Sequence, residues 1–133
     1  MLLKRYMKGI KFEEVQELLD SGKKPEEVFD NILDKKEGFR VVYLNDKQNY
    51  LSDKNKLLFP DLWFDIIFES YCGFFAVELN NKWNYIDKHG KLLSPNLWFD
   101  EAGDFQNDYA EVKIDGNYYS IDTNGKLSKI NFS

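Results

Sequence analysis

The chain has 133 residues, a formal net charge of −5, 43% hydrophobic and 31% charged residues, which predicts one globular domain, or one small domain with an appendage. The acidic balance argues against nucleic acid as a direct ligand, because phosphate binding needs a basic surface. Cys72 is the single cysteine, so an internal disulfide and a cysteine-based metal site are excluded. The first residues contain no apolar run long enough for a signal peptide or a membrane span, and we expect a cytoplasmic protein that does not contact membranes.

Residues 1–38 predict a helical hairpin. Apolar residues recur at helical spacing up to Leu19, and Gly22 suits the left-handed stop of a first helix. Pro25 suits the first position of a second helix, which we expect to end at Gly38. Its predicted apolar face consists of Val28, Phe29, Ile32 and Leu33. The acidic residues on its other side would repel phosphate, which disfavours a DNA-reading helix-turn-helix, and we expect the hairpin to cap the open end of the region after residue 38.

From residue 39 the sequence repeats itself with a step of 35 residues. The copies are 39–73, 74–108 and an incomplete third, 109–133, and the first two are identical at 15 of 35 positions. These identities include an Asn-x-Lys stretch, a Leu-Leu pair, a proline and a final Leu-Trp-Phe-Asp. A repeated unit is usually one supersecondary element that buries its apolar face against its neighbours. A residue present in every copy is therefore most simply explained by packing.

Each copy predicts a strand, a tight turn, a strand, a tight turn and a third strand. In the second copy apolar residues alternate from Phe75 to Leu79, and Asn80-Asn81 forms a hairpin turn that corresponds to Asp115-Gly116 in the third. A second strand runs from Trp83 to Asp87, and we place the third strand at Leu92-Leu93, before Pro95. Of the 22 aromatic residues, 19 lie after residue 38, which also favours β structure there. The predicted fold class is α+β, with a helical hairpin (1–38) before an antiparallel β array (39–133).

The stretch Asn81-Lys82-Trp83-Asn84-Tyr85-Ile86-Asp87-Lys88-His89-Gly90-Lys91-Leu92 resembles the WG β-repeat family. That family's unit contains Lys-Trp-Gly-Tyr-Ile-Asp, a turn that ends in Gly-Lys, and an aromatic-Asp pair. The likeness covers residues 39–133 and leaves the helical hairpin unmatched. The Gly that follows Trp in the family is replaced by Asn84, by Asn49 and by Tyr119 in the three copies. The resemblance, that of a divergent member, implies a repeat scaffold that binds a partner and does not catalyse a reaction.

The aromatic-carboxylate motifs Trp63-Phe64-Asp65 and Trp98-Phe99-Asp100 are of a type that binds sugars or choline-like cations. Because they recur with the repeat, we interpret the rings as packing and the Asp side chains as acceptors for backbone amides in turns. We interpret Asp87 and Asp122 in the same way, as residues that stabilise a turn. Carbohydrate or choline binding between repeats stays open as a third hypothesis for function.

Candidate functional residues lie where the copies differ. His89 and Cys72 are not repeated, but His89 occupies a turn position, and Cys72 stands next to Gly73 with no His close in sequence. The larger difference is an acidic stretch that is much less charged in the preceding copy. It consists of Asp100, Glu101, Asp104, Asp108, Glu111 and Asp115, against the single Lys113. The stretch is either a surface for a basic protein partner or a solvated face that keeps the chain soluble.

No catalytic motif or cofactor-binding loop occurs in the sequence, so we expect no enzyme activity and no cofactor. The leading prediction is a non-catalytic protein-interaction module. The alternative is a small acidic inhibitor or immunity-type protein that neutralises a basic enzyme or toxin through the acidic stretch. The sequence leaves the identity of the partner and the oligomeric state open.

Overall fold

A computed structural model describes residues 9–33 and 38–130, with the backbone alone for residues 69–71. The chain divides into two compact units, Met1–Asp65 and Ile66–Ser133, called here the N-terminal and C-terminal units. Parts of the predicted hairpin, residues 1–8 and 34–37, lie outside the described residues. The described residues form an α+β structure, with short helices before antiparallel sheets.

The N-terminal unit begins with short helical segments. A 3₁₀ turn, Phe12–Glu14, leads into helix α1, Val15–Asp20. Gly22 follows at a φ of +102°, which is the predicted left-handed stop. Helix α2, Pro25–Val28, begins at the expected proline. The backbone N–H of Lys24 donates to the Glu27 carboxylate at 2.9 Å, which satisfies a free donor at this helix start.

The prediction that the second helix continues to Gly38 is wrong. Phe29 is already extended, with φ −91° and ψ 152°, and residues Asn31–Ile32 form strand β1. The N–H of Asp30 donates to the Tyr43 carbonyl at 2.8 Å, and that of Leu33 to the Val41 carbonyl at 2.9 Å. These bonds to a neighbouring strand replace the intrahelical bonds that residues 30–33 would otherwise make.

The remaining strands form three antiparallel sheets. In the N-terminal unit, β1, β2 (Phe39–Leu44) and β3 (Lys47–Ser52) pair in that order. In the C-terminal unit, one sheet contains β4 (Ile66–Tyr71), β5 (Phe74–Leu79) and β6 (Lys82–Asp87). The other has the order β10-β9-β8-β7, where β7 is Glu101–Ala102, β8 Tyr109–Ile114, β9 Asn117–Asp122 and β10 Leu127–Lys129.

Each unit has its own buried cluster. The N-terminal cluster combines helix and sheet residues: Val15, Leu19, Val28, Phe29, Val42, Leu44, Leu51, Leu57 and Trp63. A C-terminal cluster consists of Ala76, Tyr85, Phe99, Phe105, Ala110, Val112 and Ile121. Burial of this largely aromatic and β-branched surface is the main stabilising contribution within each unit.

The strands recur with the step of the sequence. Strands β1, β4 and β7 begin at residues 31, 66 and 101. Strands β2, β5 and β8 begin at residues 39, 74 and 109, and strands β3, β6 and β9 begin at residues 47, 82 and 117. A proline (Pro25, Pro60, Pro95) and a Phe-Asp pair recur at the same step. The first Phe-Asp pair is Phe29-Asp30, so the pattern begins inside the segment that we assigned to the cap.

The strand predicted at Leu92-Leu93 is wrong, because Leu92 makes a single bridge to Ile86 and the chain then leaves the sheet. The third strand of the pattern instead follows the Phe-Asp pair, as β4 does after Asp65.

The hairpin turns are as predicted. Asn80 and Asn81 have φ values of 54° and 65°, and Asp115-Gly116 has 50° and 83°, the left-handed pairs of a type I′ turn.

Candidate functional site

The recurring Phe-Asp pairs join neighbouring elements of the fold. One oxygen of Asp30 accepts the N–H of Asn45, and one oxygen of Asp100 accepts the N–H of Asp115, at 2.9 and 2.8 Å. Both acceptors lie 15 residues before the hairpin turn that they fasten. The phenyl rings of Phe64 and Phe99 are fully buried. The interpretation of Phe64 and Phe99 as packing residues, and of Asp100 as an acceptor in a turn, is therefore confirmed.

Two of these carboxylates also pair with lysines. Lys47 forms an ion pair with Asp65, and Lys82 with Asp100. The ion pair with Lys82, followed by the N–H of Asp115, lowers the pKa of the Asp100 carboxyl, against a smaller opposing effect of desolvation. Asp100 in turn raises the pKa of Lys82. The carboxylate of Asp100 is thus committed to internal contacts.

Trp63 does not offer an open ring for ligand stacking. Its side chain is 7% exposed, and its ring lies 4.9 Å from that of Phe12 and 6.3 Å from that of Phe29, between centroids. Phe64 and Phe99 are buried as well, so the first motif lacks the accessible aromatic surface that sugar or choline binding requires. In the second motif Trp98 is partly exposed.

Asp87 and Asp122 stabilise turns, as predicted. One oxygen of Asp87 accepts the N–H groups of His89 and Lys91 at 2.8 and 2.9 Å. Asp122 accepts those of Asn124 and Lys126 at the same distances. The bond from Lys126, followed by that from Asn124, lowers the pKa of Asp122.

The lowered pKa values of Asp100 and Asp122 predict a loss of stability in acid. An aspartate in the unfolded chain titrates near pH 4, so the stabilisation is fully present above that pH and is lost as the pH falls through the lower folded pKa. Asp122→Asn keeps an acceptor oxygen without the charge and should flatten the fall of the urea midpoint below about pH 4. Asp61→Asn, at an exposed turn residue, is the control, and an equal flattening there would contradict the assignment.

Sequence reasoning missed the role of two buried asparagines, Asn49 and Asn84, which are 0% exposed. The side-chain oxygen of Asn84 accepts the N–H groups of Tyr85 and Ser94 at 2.8 and 3.2 Å, and its amide donates to the Ser94 carbonyl at 2.7 Å. Asn49 makes the corresponding three bonds: its oxygen accepts the N–H groups of Tyr50 and Phe59 at 2.8 and 3.3 Å, and its amide donates to the Phe59 carbonyl at 2.8 Å. The sequence signal for this role was the recurrence of an asparagine in both copies, ten residues before the loop residue that it binds.

These asparagines stand where the WG family has glycine, and they hold the loop that leaves the sheet. Tyr119 occupies the position in the third copy, and there the loop is absent because Lys129 of strand β10 pairs with Tyr119 directly. In the first two copies, where the chain leaves the sheet, the side-chain amide of asparagine therefore replaces the backbone pairing seen in the third copy.

The structure does not gather the six acidic residues into one cluster. Asp100 and Asp115 both raise the pKa of Lys82. Asp108 precedes the start of β8 and Asp115 follows its end, so an extended strand separates these two residues by roughly 20 Å. Glu101 pairs with Lys113, with 3.3 Å between carboxylate oxygen and ammonium. Asp104, Asp108 and Glu111 are exposed and have no ion pair in the described part of the chain.

An open groove lies on the outer face of the β7-β8-β9 region. It has a volume of about 340 Å³, and its lining includes Glu101, Gly103, Glu111, Lys113 and Tyr118. The Lys113 ammonium lies 5.5 Å from the centroid of the Tyr118 ring. Glu101 first, and then Tyr118, raise the pKa of Lys113. The groove thus already combines a carboxylate and an aromatic ring around one cation.

His89 and Cys72 are exposed turn residues. Cys72 has a φ of 55° in the two-residue turn between β4 and β5, and its sulfur lies 3.8 Å from the Phe105 carbonyl. Among residues 9–33 and 38–130, no group of three or more His, Cys, Asp or Glu side chains is placed to hold a metal ion. No helix within those ranges is long and apolar enough to cross a membrane.

The fold is that of an antiparallel β-repeat protein in which the repeated polar side chains serve the scaffold. The model of the family "WG containing repeat" matches residues 64–83 and 85–118. These two segments are similar to the unit of that family. The first matched segment begins at Phe64, the residue of the Phe-Asp pair that precedes strand β4.

No curated protein matches the sequence. A solved structure described as that of a 2S albumin seed protein from Dolichos is 17% identical, with a TM-score of 0.34 over 79% of this chain and 67% of that chain. A likeness at this level bears neither on the fold nor on the function.

Proposed function

We propose that this chain is a non-catalytic protein-interaction module of the cytoplasm, built from about three WG-type units of 35 residues. The observation that carries the proposal is the use of the repeated polar residues. Five of these side chains form hydrogen bonds with the backbone of turns and loops of the scaffold: Asp30, Asn49, Asn84, Asp100 and Asp122. Residues that hold a scaffold together are not available for catalysis, and they leave the exposed strand faces for recognition.

A second candidate is an acidic inhibitor or immunity-type protein. It is supported by the exposed carboxylates of Asp104, Asp108 and Glu111, which have no ion pair among the described residues. Unpaired surface carboxylates attract a cationic partner over several ångströms and raise the rate of association. The same three side chains would contact a basic cleft in such a partner.

Affinity capture from the source organism separates the two candidates. One tight, stoichiometric partner supports the inhibitor, several weaker partners support the scaffold module, and no retained partner contradicts both. The bait is the full chain. A second bait with Asn84→Ala, in which the loop after β6 loses its anchor, distinguishes partners of the folded repeat from proteins that adhere to any surface.

Charge reversal tests the acidic contact. Asp104→Lys with Asp108→Lys should slow association with a basic partner about tenfold at low salt, and less at high salt, because screening weakens electrostatic steering. Surface plasmon resonance measures the rate constant. The matched control is Glu13→Lys with Asp61→Lys, the same charge change at exposed residues of the N-terminal unit. Equal rates for the two double variants would exclude the acidic residues as the contact.

A further inference from the structure

The groove on the outer face of β7, β8 and β9 brings together charged and aromatic side chains. Glu101 lies directly opposite Lys113, and Lys113 directly opposite Tyr118. Residues opposed in antiparallel pairs project from the same side of a sheet. Glu111, two residues before Lys113 on β8, projects from that side too, and it is a diagonal neighbour of Tyr118.

The groove already holds one cation from the chain itself. The Lys113 ammonium lies 3.3 Å from a Glu101 carboxylate oxygen and 5.5 Å from the centroid of the Tyr118 ring. A carboxylate and an aromatic face attract a cation by independent electrostatic interactions. This internal contact shows that the groove has room for a cationic side chain beside a carboxylate and an aromatic ring.

The charge of the groove remains negative after that contact. Lys113 balances Glu101, but Glu111 is exposed, and no ion pair to it occurs in the described residues. Asp104 follows the groove residue Gly103 and is exposed as well. A cationic group that enters beside Glu111 would be electrostatically complementary to the groove.

Two hydrogen bonds hold the backbone beneath the groove. The N–H of Gly103 donates to the Glu111 carbonyl at 2.9 Å, and the Tyr85 hydroxyl donates to the Gly103 carbonyl at 2.5 Å. Gly103 carries no side chain to fill the space next to Glu111. The groove is thus an open depression with a hydrogen-bonded floor, and a pre-formed site of this kind reduces the entropy cost of placing a side chain in it.

We propose that this groove receives an arginine side chain of the partner, with the guanidinium between the Glu111 carboxylate and the Tyr118 ring. Arginine fits better than lysine because its planar fork donates to a carboxylate while its face stacks on an aromatic ring. The inference rests on the proposed function, since it names the contact that the interaction module makes with a basic protein.

A titration with a short blocked oligo-arginine peptide tests the groove without knowledge of the partner. In ¹⁵N-correlated NMR spectra of the full chain, we expect the amide signals of Gly103, Glu111, Lys113 and Tyr118 to shift most. Glu111→Gln should weaken the peptide's affinity about threefold, the effect of losing one exposed ion pair. Asp61→Asn removes a carboxylate at an exposed turn of the N-terminal unit and should leave it unchanged. The matching oligo-lysine peptide should bind more weakly.

The outcomes separate the groove from the proposed function. Shifts spread evenly over the acidic surface, or equal affinities of Glu111→Gln and Asp61→Asn, overturn the groove. If Glu111→Gln then still captures the partner of the unmodified chain, the interaction module stands without the groove. If the groove binds the arginine peptide but the full chain captures no protein, the proposed function fails and the groove remains a site for guanidinium groups only.

Discussion

Asn84→Ala should destabilise the protein by about 3 kcal/mol, because it removes three buried hydrogen bonds and leaves their backbone partners unsatisfied. The substitution leaves the N–H groups of Tyr85 and Ser94 and the Ser94 carbonyl without the side-chain amide that they contact. Water cannot easily replace it, because Asn84 is 0% exposed. Urea unfolding followed by circular dichroism gives the free energy of unfolding.

Two further variants make this result interpretable. Asn117→Ala changes an exposed asparagine at the start of β9 and should alter the free energy of unfolding by less than about 0.5 kcal/mol. Asn84→Gly restores the family's residue but also removes the three bonds, so it should be at least as destabilising as alanine. A neutral or stabilising Asn84→Gly would show that the asparagine does not anchor the loop.

Gly125→Ala should cost about 3 kcal/mol through two effects, a left-handed backbone and a steric clash. Gly125 has a φ of +86°, and a Cβ atom there would lie 2.7 Å from the Leu93 carbonyl oxygen. Because the contact is with backbone, no rotamer change relieves it. The turn of the third copy thus approaches the loop of the second too closely for any residue except glycine.

Gly116→Ala isolates the backbone effect. Gly116 has nearly the same φ, +83°, and open space around the position of a Cβ atom, so only the left-handed conformation should cost energy, about 1 kcal/mol. The difference between the two variants in thermal or urea unfolding measures the clash alone. Equal losses of stability would mean that the loop at Leu93 moves away freely.

The sequence was sufficient to predict the paired strands and their turns, because these depend on local pattern. The alternation from Phe75 to Leu79 and the Asn80-Asn81 dipeptide fix a hairpin with little help from the rest of the chain. The end of the second helix was not predictable in this way. Ile32 and Leu33 fit a helical and an extended pattern equally, and the bond to Val41 that decides between them is not local.

The prediction of the third strand failed for a related reason. Leu92-Leu93 is apolar enough for a strand, but the buried amide of Asn84 holds the chain in a loop immediately afterwards. For the candidate site, the sequence identified the acidic residues correctly as exposed charges at Asp104, Asp108 and Glu111. It did not reveal that Lys82 and Lys113 engage Asp100 and Glu101, since those contacts depend on how the strands pair.

Two of the carboxylates that bind hairpin turns lie close to those turns in the sequence and precede them. Asp30 reaches Asn45 and Asp100 reaches Asp115, both over 15 residues, and the ion pair between Lys82 and Asp100 spans only 18. Contacts over such short separations close small loops and favour rapid folding. The turns at Asn45 and Asp115 can therefore form these hydrogen bonds soon after synthesis, because Asp30 and Asp100 have already been synthesised.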